Sequence, residues 1–302
     1  MQSLFEHIPS LMQNQNFDTL AVGVLDFKTH VVETFQYNSN KGVFTDDLYF
    51  DLASMTKPLT MGAAFLLHEK LRTPLIQMLI EHRAGLPAWA ILSRDNWREH
   101  VLSFNPKESP TEYSDLSALR VMLEMEKVSG ESLKEMCSSY WDKELLHWFD
   151  LKSEHRCVDT GYRQGHIVNG EVHDPNAFNI QNFCSHAGMF GTINGVCKSL
   201  LNLDREGNLL KTMNQNLKKK PASQRYCWGW DSIQDSATTL AGPGAGSDVF
   251  GHLGFTGTSM WIDSLKARGI IILSNSTQHY WYQKEGINHI RRTLGSQFWK
   301  QS

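Results

Sequence analysis

Residues 50–70 read FDLASMTKPLTMGAAFLLHEK, and from about Ala53 the apolar residues recur at helical spacing. Pro58 has no N–H, so it belongs in the first turn, where no hydrogen bond is lost. The stretch therefore predicts a helix with Ser54 at its N-terminal end and Lys57 one turn further on. Residues three apart share a helix face, so hydroxyl and amine are expected to point into the same space. A serine becomes a useful nucleophile when a neighbouring base takes its proton. An amine can be that base if burial or nearby positive charge lowers its pKa. Backbone N–H groups at a helix start also favour developing negative charge. Taken alone, a Ser-x-x-Lys spacing arises by chance, and an exposed serine beside a solvated lysine explains it more simply.

On the N-terminal side, LAVGVL (20–25) and VVETF (31–35) are β-rich runs separated by turn-forming residues, which predicts a hairpin. On the other side, residues 73–150 look mainly helical, with loops near 84–87 and 105–110. Leu116–Val128 has amphipathic spacing, and Gly130 is placed to end that helix. Residues 151–190 lack periodicity and read as loops. Residues 251–254, 259–263 and 269–274 alternate with turn residues; GIIILS is the clearest strand, and residues 285–300 read as a helix. Strands at both ends with helices between them predict an α/β chain of the α+β type. Residues 1–72 and 185–302 would form one domain built on a common sheet. Residues 73–184 would be an inserted, mainly helical lobe carrying active-site loops.

Composition narrows the functions. The 302 residues are 41% hydrophobic and 20% charged with a formal net charge of -3, an ordinary globular balance with no electrostatic footprint for nucleic acid. Lys218-Lys219-Lys220 is short and followed by Pro221, as in a solvated loop. No stretch approaches the ~20 apolar residues of a membrane span. The first residues lack a basic start followed by an apolar run. Five cysteines with no C-x-x-C pair read as free thiols, so a cytoplasmic location is expected, with a processed exported chain as the alternative. His173-Asp174 and Cys184-x-His186 contain metal-binding residue types, but no zinc-site spacing supports them, and no metal or cofactor is expected. Trp228, Trp230 and Trp261 read as core residues rather than a cleft lining.

Two more segments carry chemistry. Tyr113-Ser114-Asp115 follows Pro110 and precedes a helix. A tyrosine there can exchange protons with a nucleophile or leaving group, while the Ser or Asp is equally a helix cap. Gly251-His252-Leu253-Gly254-Phe255-Thr256-Gly257 places small residues on a strand, where a substrate backbone could pair alongside or where a simple bulge would form.

The order of these three elements resembles the S-x-x-K, S-D-N and K-T-G set of the serine β-lactamases and penicillin-binding proteins. The sequence is similar to the branch of class C β-lactamases, D-alanyl-D-alanine carboxypeptidases and their esterase relatives. There the middle motif begins with Tyr and the last can begin with His. FDLASMTKPLT, HRAGLP, EYSDLSAL, VHDPNAF, SHAGMFGT and GHLGFTGTSMWID look like family segments in family order. The resemblance implies a β-lactamase/transpeptidase-like fold, an antiparallel sheet flanked by helices with a small helical lobe. It implies Ser54 as nucleophile, Lys57 as its partner and Tyr113 as general acid/base. The backbone N–H groups of Ser54 and Phe255 would form the oxyanion hole. Asp115, His252, Leu253 and Gly254 would bind substrate.

Asp115 stands where many relatives carry Asn, and Leu253 where many carry Thr. Leucine cannot donate a hydrogen bond to a substrate carboxylate, and an ionised Asp115 would repel one. The expected activity is acyl-enzyme hydrolysis of a small-molecule or peptide-like ester or amide, tilted towards esters. A carboxypeptidase or β-lactamase is the alternative within hydrolases. A non-catalytic ligand-binding protein on the same scaffold is the alternative from another class.

Overall fold

The computed structural model describes residues 2–280 and 282–300. From the N-terminus, β1 (Thr19–Asp26), β2 (Val31–Asn38) and β3 (Gly42–Val43) form a meander. Shorter strands follow: β4 (Phe50–Asp51), β5 (Leu145–His147), the hairpin of β6 (Asp159–Arg163) and β7 (His166–Asn169), and β8 (Met189–Gly191). β8 lies between β4 and β5. β9 (Tyr226–Cys227), β10 (Trp230–Ser232), β11 (Val249–Leu253), β12 (Ser259–Asp263) and β13 (Arg268–Ser274) come last. They join the first three in one antiparallel sheet, ordered β3-β2-β1-β13-β12-β11-β10-β9. The two ends of the chain meet where Val22 pairs with Ile272.

β13 is apolar from Gly269 to Leu273 because both faces are covered there. Ile270 and Ile272 pack with Leu20, Val22 and Val24 beneath Ile287, Ile290, Leu294 and Phe298 of the helix Glu285–Lys300. Ile271 and Leu273 face the other way, into a core with Ala21, Leu25, Val196, Cys197 and Leu200. Burying each such side chain stabilises the fold by roughly 1.5–3 kcal/mol. Gly23 allows the helix Ile193–Gly207 to lie close, since a Cβ there would meet Cys197 Sγ at 2.6 Å. The five cysteines are unpaired. Trp230 and Trp261 are buried, and Trp228 packs edge-on against Phe65. Among the described residues no helix is long and apolar enough to cross a membrane.

The Ser54 helix is less regular than its sequence predicts. It opens with a 3-10 turn at Ala53–Met55, widens to a π segment at Pro58–Gly62 and ends in an α turn at Ala63–Leu67. Two residues account for the widening. Pro58 offers no N–H, and the Thr60 hydroxyl donates to the Thr56 carbonyl at 2.7 Å. The Tyr140 hydroxyl donates to the Leu59 carbonyl.

Other elements follow their sequence signals. Ser114 caps the helix Asp115–Ser129 by accepting from Ser117 N at 2.9 Å, and Gly130 ends it at φ 77°. Residues 151–190 hold more order than the expected loops. The β6–β7 hairpin turns on Gln164 and Gly165, both at positive φ, as a two-residue turn between strands requires. Asp174 and Pro175 start a short helix, Pro175–Ile180.

The turn after β11 is stitched to the chain just before Ser54. Thr256 Oγ1 donates to the Asp51 carbonyl at 2.6 Å, and Thr258 Oγ1 to the Leu52 carbonyl at 3.0 Å. From the opposite side the buried Arg291 guanidinium donates to the carbonyls of Gly254 (3.2 Å) and Thr258 (2.7 Å). A Cβ on Gly254 would sit 2.0 Å from Thr258 Oγ1 and 2.6 Å from the Leu52 carbonyl oxygen. Gly254→Ala should therefore destabilise the protein by about 1–3 kcal/mol in urea unfolding. Gly246→Ala, with open space around it, should change stability by less than about 0.5 kcal/mol.

Candidate active site

Ser54 sits on a strained turn. Ala53, immediately before it, has φ 46°, a left-handed conformation that costs an L-residue roughly 1–2 kcal/mol. The buried Asp51 carboxylate holds this turn. Its Oδ1 accepts from Ala53 N at 2.7 Å and its Oδ2 from His173 N at 2.6 Å. Burial raises the Asp51 pKa to about 6 against the pull of these two N–H donors.

Lys57 is fully buried. Its ammonium donates to Ser54 Oγ at 3.0 Å and to the His186 carbonyl at 3.1 Å. It also forms a contact ion pair with Asp115 Oδ1 at 2.7 Å. Burial works to lower the Lys57 pKa, but Asp115 and Tyr113 outweigh it, and the amine is held above its ordinary value. This differs from the sequence reading, in which burial or nearby positive charge would lower the amine's pKa. Asp115 likewise differs: its charge faces Lys57 and is matched by it.

The Tyr113 hydroxyl faces Ser54 and Lys57 but completes no well-angled hydrogen bond with either. Burial raises its pKa, so the phenol is neutral. Its ring is boxed by His82 at 4.8 Å, Tyr226 at 5.7 Å and His252 at 6.1 Å between centroids, and the Lys57 ammonium lies 4.8 Å from its own centroid. His82 Nδ1 accepts from Ser114 N at 3.2 Å, so its proton is on Nε2. His252 Nδ1 donates to the Leu253 carbonyl at 2.8 Å, which leaves Nε2 as a buried acceptor without a partner. Burial, then Lys57, lowers the His252 pKa to about 3, so the ring is neutral.

Ser54, Tyr113, His252, Leu253, Gly254 and Phe255 line one open cleft of about 420 Å³. β10 pairs with β11 through Asp231–Gly251 and Ser232–Phe250 only, so the edge at His252 and Leu253 is uncovered on that side. Arg225, Tyr226, Asp231 and Lys284 complete the walls. Arg225 and Asp231 neutralise each other through two contacts of 2.7 Å. Lys284 Nζ donates to the Phe255 carbonyl at 2.6 Å and lies 4.3 Å from that ring's centroid. Burial, with Arg291 adding to it, lowers the Lys284 pKa to about 8.

Every site residue expected from sequence thus lies in or beside one cleft, with Lys57 and Asp115 beneath its floor. Sequence reasoning missed Asp51, His82, Arg225, Tyr226, Lys284 and Arg291. His82 lies within the quoted HRAGLP segment and Asp51 within FDLASMTKPLT; the others carry no local signal. His173, Asp174, Cys184 and His186 lie behind the Ser54 turn. Among the described residues no group of three or more His, Cys, Asp or Glu could hold a metal ion.

Comparison with known proteins matches this chain to one family. The sequence model of the family described as Beta-lactamase matches residues 4–294. Among solved structures, a class C β-lactamase from Rhodobacter sphaeroides superposes with a TM-score of 0.63 at 15% identity over 97% of each chain. A β-lactamase from Mycobacterium bovis gives 0.61 at 14% identity, over 97% of this chain and 96% of that one. At these identities the likeness shows the fold: an antiparallel sheet with flanking helices of β-lactamase/transpeptidase type. A putative D-alanyl-D-alanine carboxypeptidase from Salmonella gallinarum is 31% identical over 115 residues, 35% of this chain and 27% of that protein. The corresponding Salmonella agona protein is 30% identical over the same span. The matched stretch thus spans about a quarter of these curated relatives.

His186 and Asp174 form a buried ion pair at 3.0 Å, directly behind the carbonyl that receives Lys57. Burial disfavours both charges, but each holds the other ionised: the His186 pKa rises from 6.5 to about 10. The stabilisation from His186 protonation is complete below pH 6.5 and is lost as pH rises through about 10. Asp174→Asn should destabilise the fold by about 1–3 kcal/mol at neutral pH, because the ion pair is lost and His186 is left buried and neutral. In histidine NMR titrations His186 should stay protonated at pH 8 in the wild type and be neutral there in the variant.

Proposed function

This chain belongs to the beta-lactamase family of serine hydrolases, and from that premise we propose that it forms an acyl-enzyme on Ser54 with small ester or amide substrates. The observation that carries this reading is the 3.0 Å contact between Ser54 Oγ and a fully buried Lys57 ammonium, at the floor of an open cleft beside Tyr113. A lysine is kept wholly out of water only at a cost of several kcal/mol, and a structural role does not require its head to meet a serine hydroxyl.

In the proposed reaction Ser54 attacks a carbonyl carbon, and its proton passes to Lys57 with Tyr113 alongside. The oxyanion is received by the backbone N–H groups of Ser54 and Phe255. Tyr113 or Lys57 then protonates the leaving group, and water releases the acyl group. The uncovered edge of β11 offers a substrate backbone a place to lie.

The substrate class rests on two opposed features. Leu253 provides no hydroxyl for a substrate carboxylate, which favours neutral esters. The pairing of Asp115 with Lys57 removes the repulsion that would have strengthened that preference. Lys284 and Arg291 line the cleft, and among the described residues no acidic group acts on either, which supports a second reading: a substrate carrying a carboxylate, as in β-lactams or D-alanyl-D-alanine peptides. Esters are the favoured substrates. The intact Ser54, Lys57 and Tyr113 weigh against a purely ligand-binding protein.

Intact-mass spectrometry after exposure to a fluorophosphonate and a fluorescent penicillin should show one adduct, absent in Ser54→Ala. Persistence of the adduct in that variant removes Ser54 from the chemistry. Lys57→Met should slow acylation about 10²–10⁴-fold. Turnover of p-nitrophenyl esters should exceed that of nitrocefin and of a D-alanyl-D-alanine peptide. Leu253→Thr should raise activity on the peptide, and an unchanged rate defeats the carboxylate argument.

A further inference from the structure

The Lys57 ammonium meets three oxygens, and only one of them is a base able to keep a proton. The Ser54 hydroxyl and the His186 carbonyl accept hydrogen bonds at 3.0 and 3.1 Å, while Asp115 Oδ1 lies at 2.7 Å. Asp115 opens the helix Asp115–Ser129, and its side chain is 19% exposed against 0% for Lys57. An ammonium engaged in this way has no lone pair for the serine proton. The chemistry proposed above therefore needs a place for one proton before Lys57 can serve.

We propose that Asp115 takes up a Lys57 proton and so frees the amine to accept the proton of Ser54. This rests on the acyl-enzyme reading above. An Nζ–H of Lys57 passes its proton to Asp115 Oδ1, leaving a neutral amine and a neutral carboxyl. The amine turns about its Cε–Nζ bond so that its lone pair meets the Ser54 hydroxyl. As the Ser54 Oγ–C bond forms and the carbonyl electron pair moves to oxygen, the Ser54 proton goes to Nζ. The site then holds an oxyanion, an ammonium and a neutral Asp115 carboxyl, so net charge is unchanged. When the tetrahedral intermediate collapses, the leaving group takes a proton from Lys57 and Asp115 returns its own to Nζ. An asparagine at this position can accept a hydrogen bond from the ammonium but cannot take up the proton.

The remaining groups around Lys57 do not offer this route. Tyr113 is a neutral phenol, His82 and His252 are kept neutral by burial and by the Lys57 charge, and Asp174 is committed to His186. Arg225 is paired with Asp231 in the cleft wall.

Two consequences separate this arrangement from a lysine that must lose its proton to water. In the wild type, the acylation rate measured by stopped-flow with a p-nitrophenyl ester should be nearly level from pH 7 to pH 9.5. A rate that climbs about tenfold per pH unit across that range overturns the inference, because the proton is then leaving to solvent. In Asp115→Asn, acylation at pH 7 should fall at least about 100-fold and recover with rising pH as Lys57 titrates directly. An Asp115→Asn enzyme as fast as the wild type at pH 7 also overturns it. The wild-type profile stands whether or not the variant folds, and circular dichroism reports on the variant. If the wild type carries no adduct on Ser54 by intact mass, the acyl-enzyme reading fails and this inference falls with it. An adduct on Ser54 with a steeply rising pH profile defeats the inference alone.

Discussion

The structure is organised around one buried positive charge. Moving an ammonium out of water costs several kcal/mol unless partners replace its hydration. Lys57 finds them in three segments distant in sequence: its own helix through Ser54, the start of the helix Asp115–Ser129 through Asp115, and the loop leading to β8 through the His186 carbonyl. None of these segments can drift without uncovering the charge. The requirement that stabilises Lys57 therefore also fixes the distances among the reactive groups.

The convergence is reinforced by backbone stitching rather than by apolar packing alone. Thr256 and Thr258 bind the turn after β11 to the carbonyls of Asp51 and Leu52, and the Arg291 guanidinium holds the same turn from the C-terminal helix. The last third of the chain is thereby registered against the residues preceding the nucleophile position. Arg291 is itself buried, burial lowers its pKa to about 10, and its guanidinium donates to the carbonyls of Gly254 and Thr258 and to the side-chain oxygen of Asn288. Carbonyl dipoles satisfy a guanidinium without introducing a carboxylate into the cleft wall, which leaves that wall positive beside Lys284.

Much of this was legible in the sequence, for identifiable reasons. GIIILS announced a strand, the Leu116–Val128 periodicity announced its helix, and Gly130 marked the stop. Ser54, Lys57, Tyr113 and the His252 strand stood out only as a set, because their order along the chain resembles the three motifs of the family; taken singly, each reads as a solvated pair, a helix cap or a bulge. The β6–β7 hairpin was not, because Asp159–Asn169 is too short and too polar to alternate clearly. The pairing of Asp115 with Lys57 was also invisible: sequence gives the two residue types but not the 2.7 Å between them, and it is that distance which turns a repelling charge into a counter-ion. Lys284 and Arg291 lie on the far side of the sheet's last hairpin, with no motif linking them to Ser54.

Two costs coincide within three residues of the nucleophile position. Ala53 is forced into a left-handed conformation, and Asp51 must stay ionised where burial has raised its pKa from 3.8 to about 6. For an acid shifted upward, proton binding favours the folded state below pH 3.8, and that contribution is lost as pH rises through about 6. At neutral pH, then, the fold keeps Asp51 charged against its own stability. The two costs are linked, since the ionised Asp51 accepts the Ala53 N–H that the left-handed turn presents, and anchors it to His173 N. A relaxed turn would need neither residue. Strain held at the one place where a serine hydroxyl must face a buried amine is what a fold retains when orientation is worth more than stability.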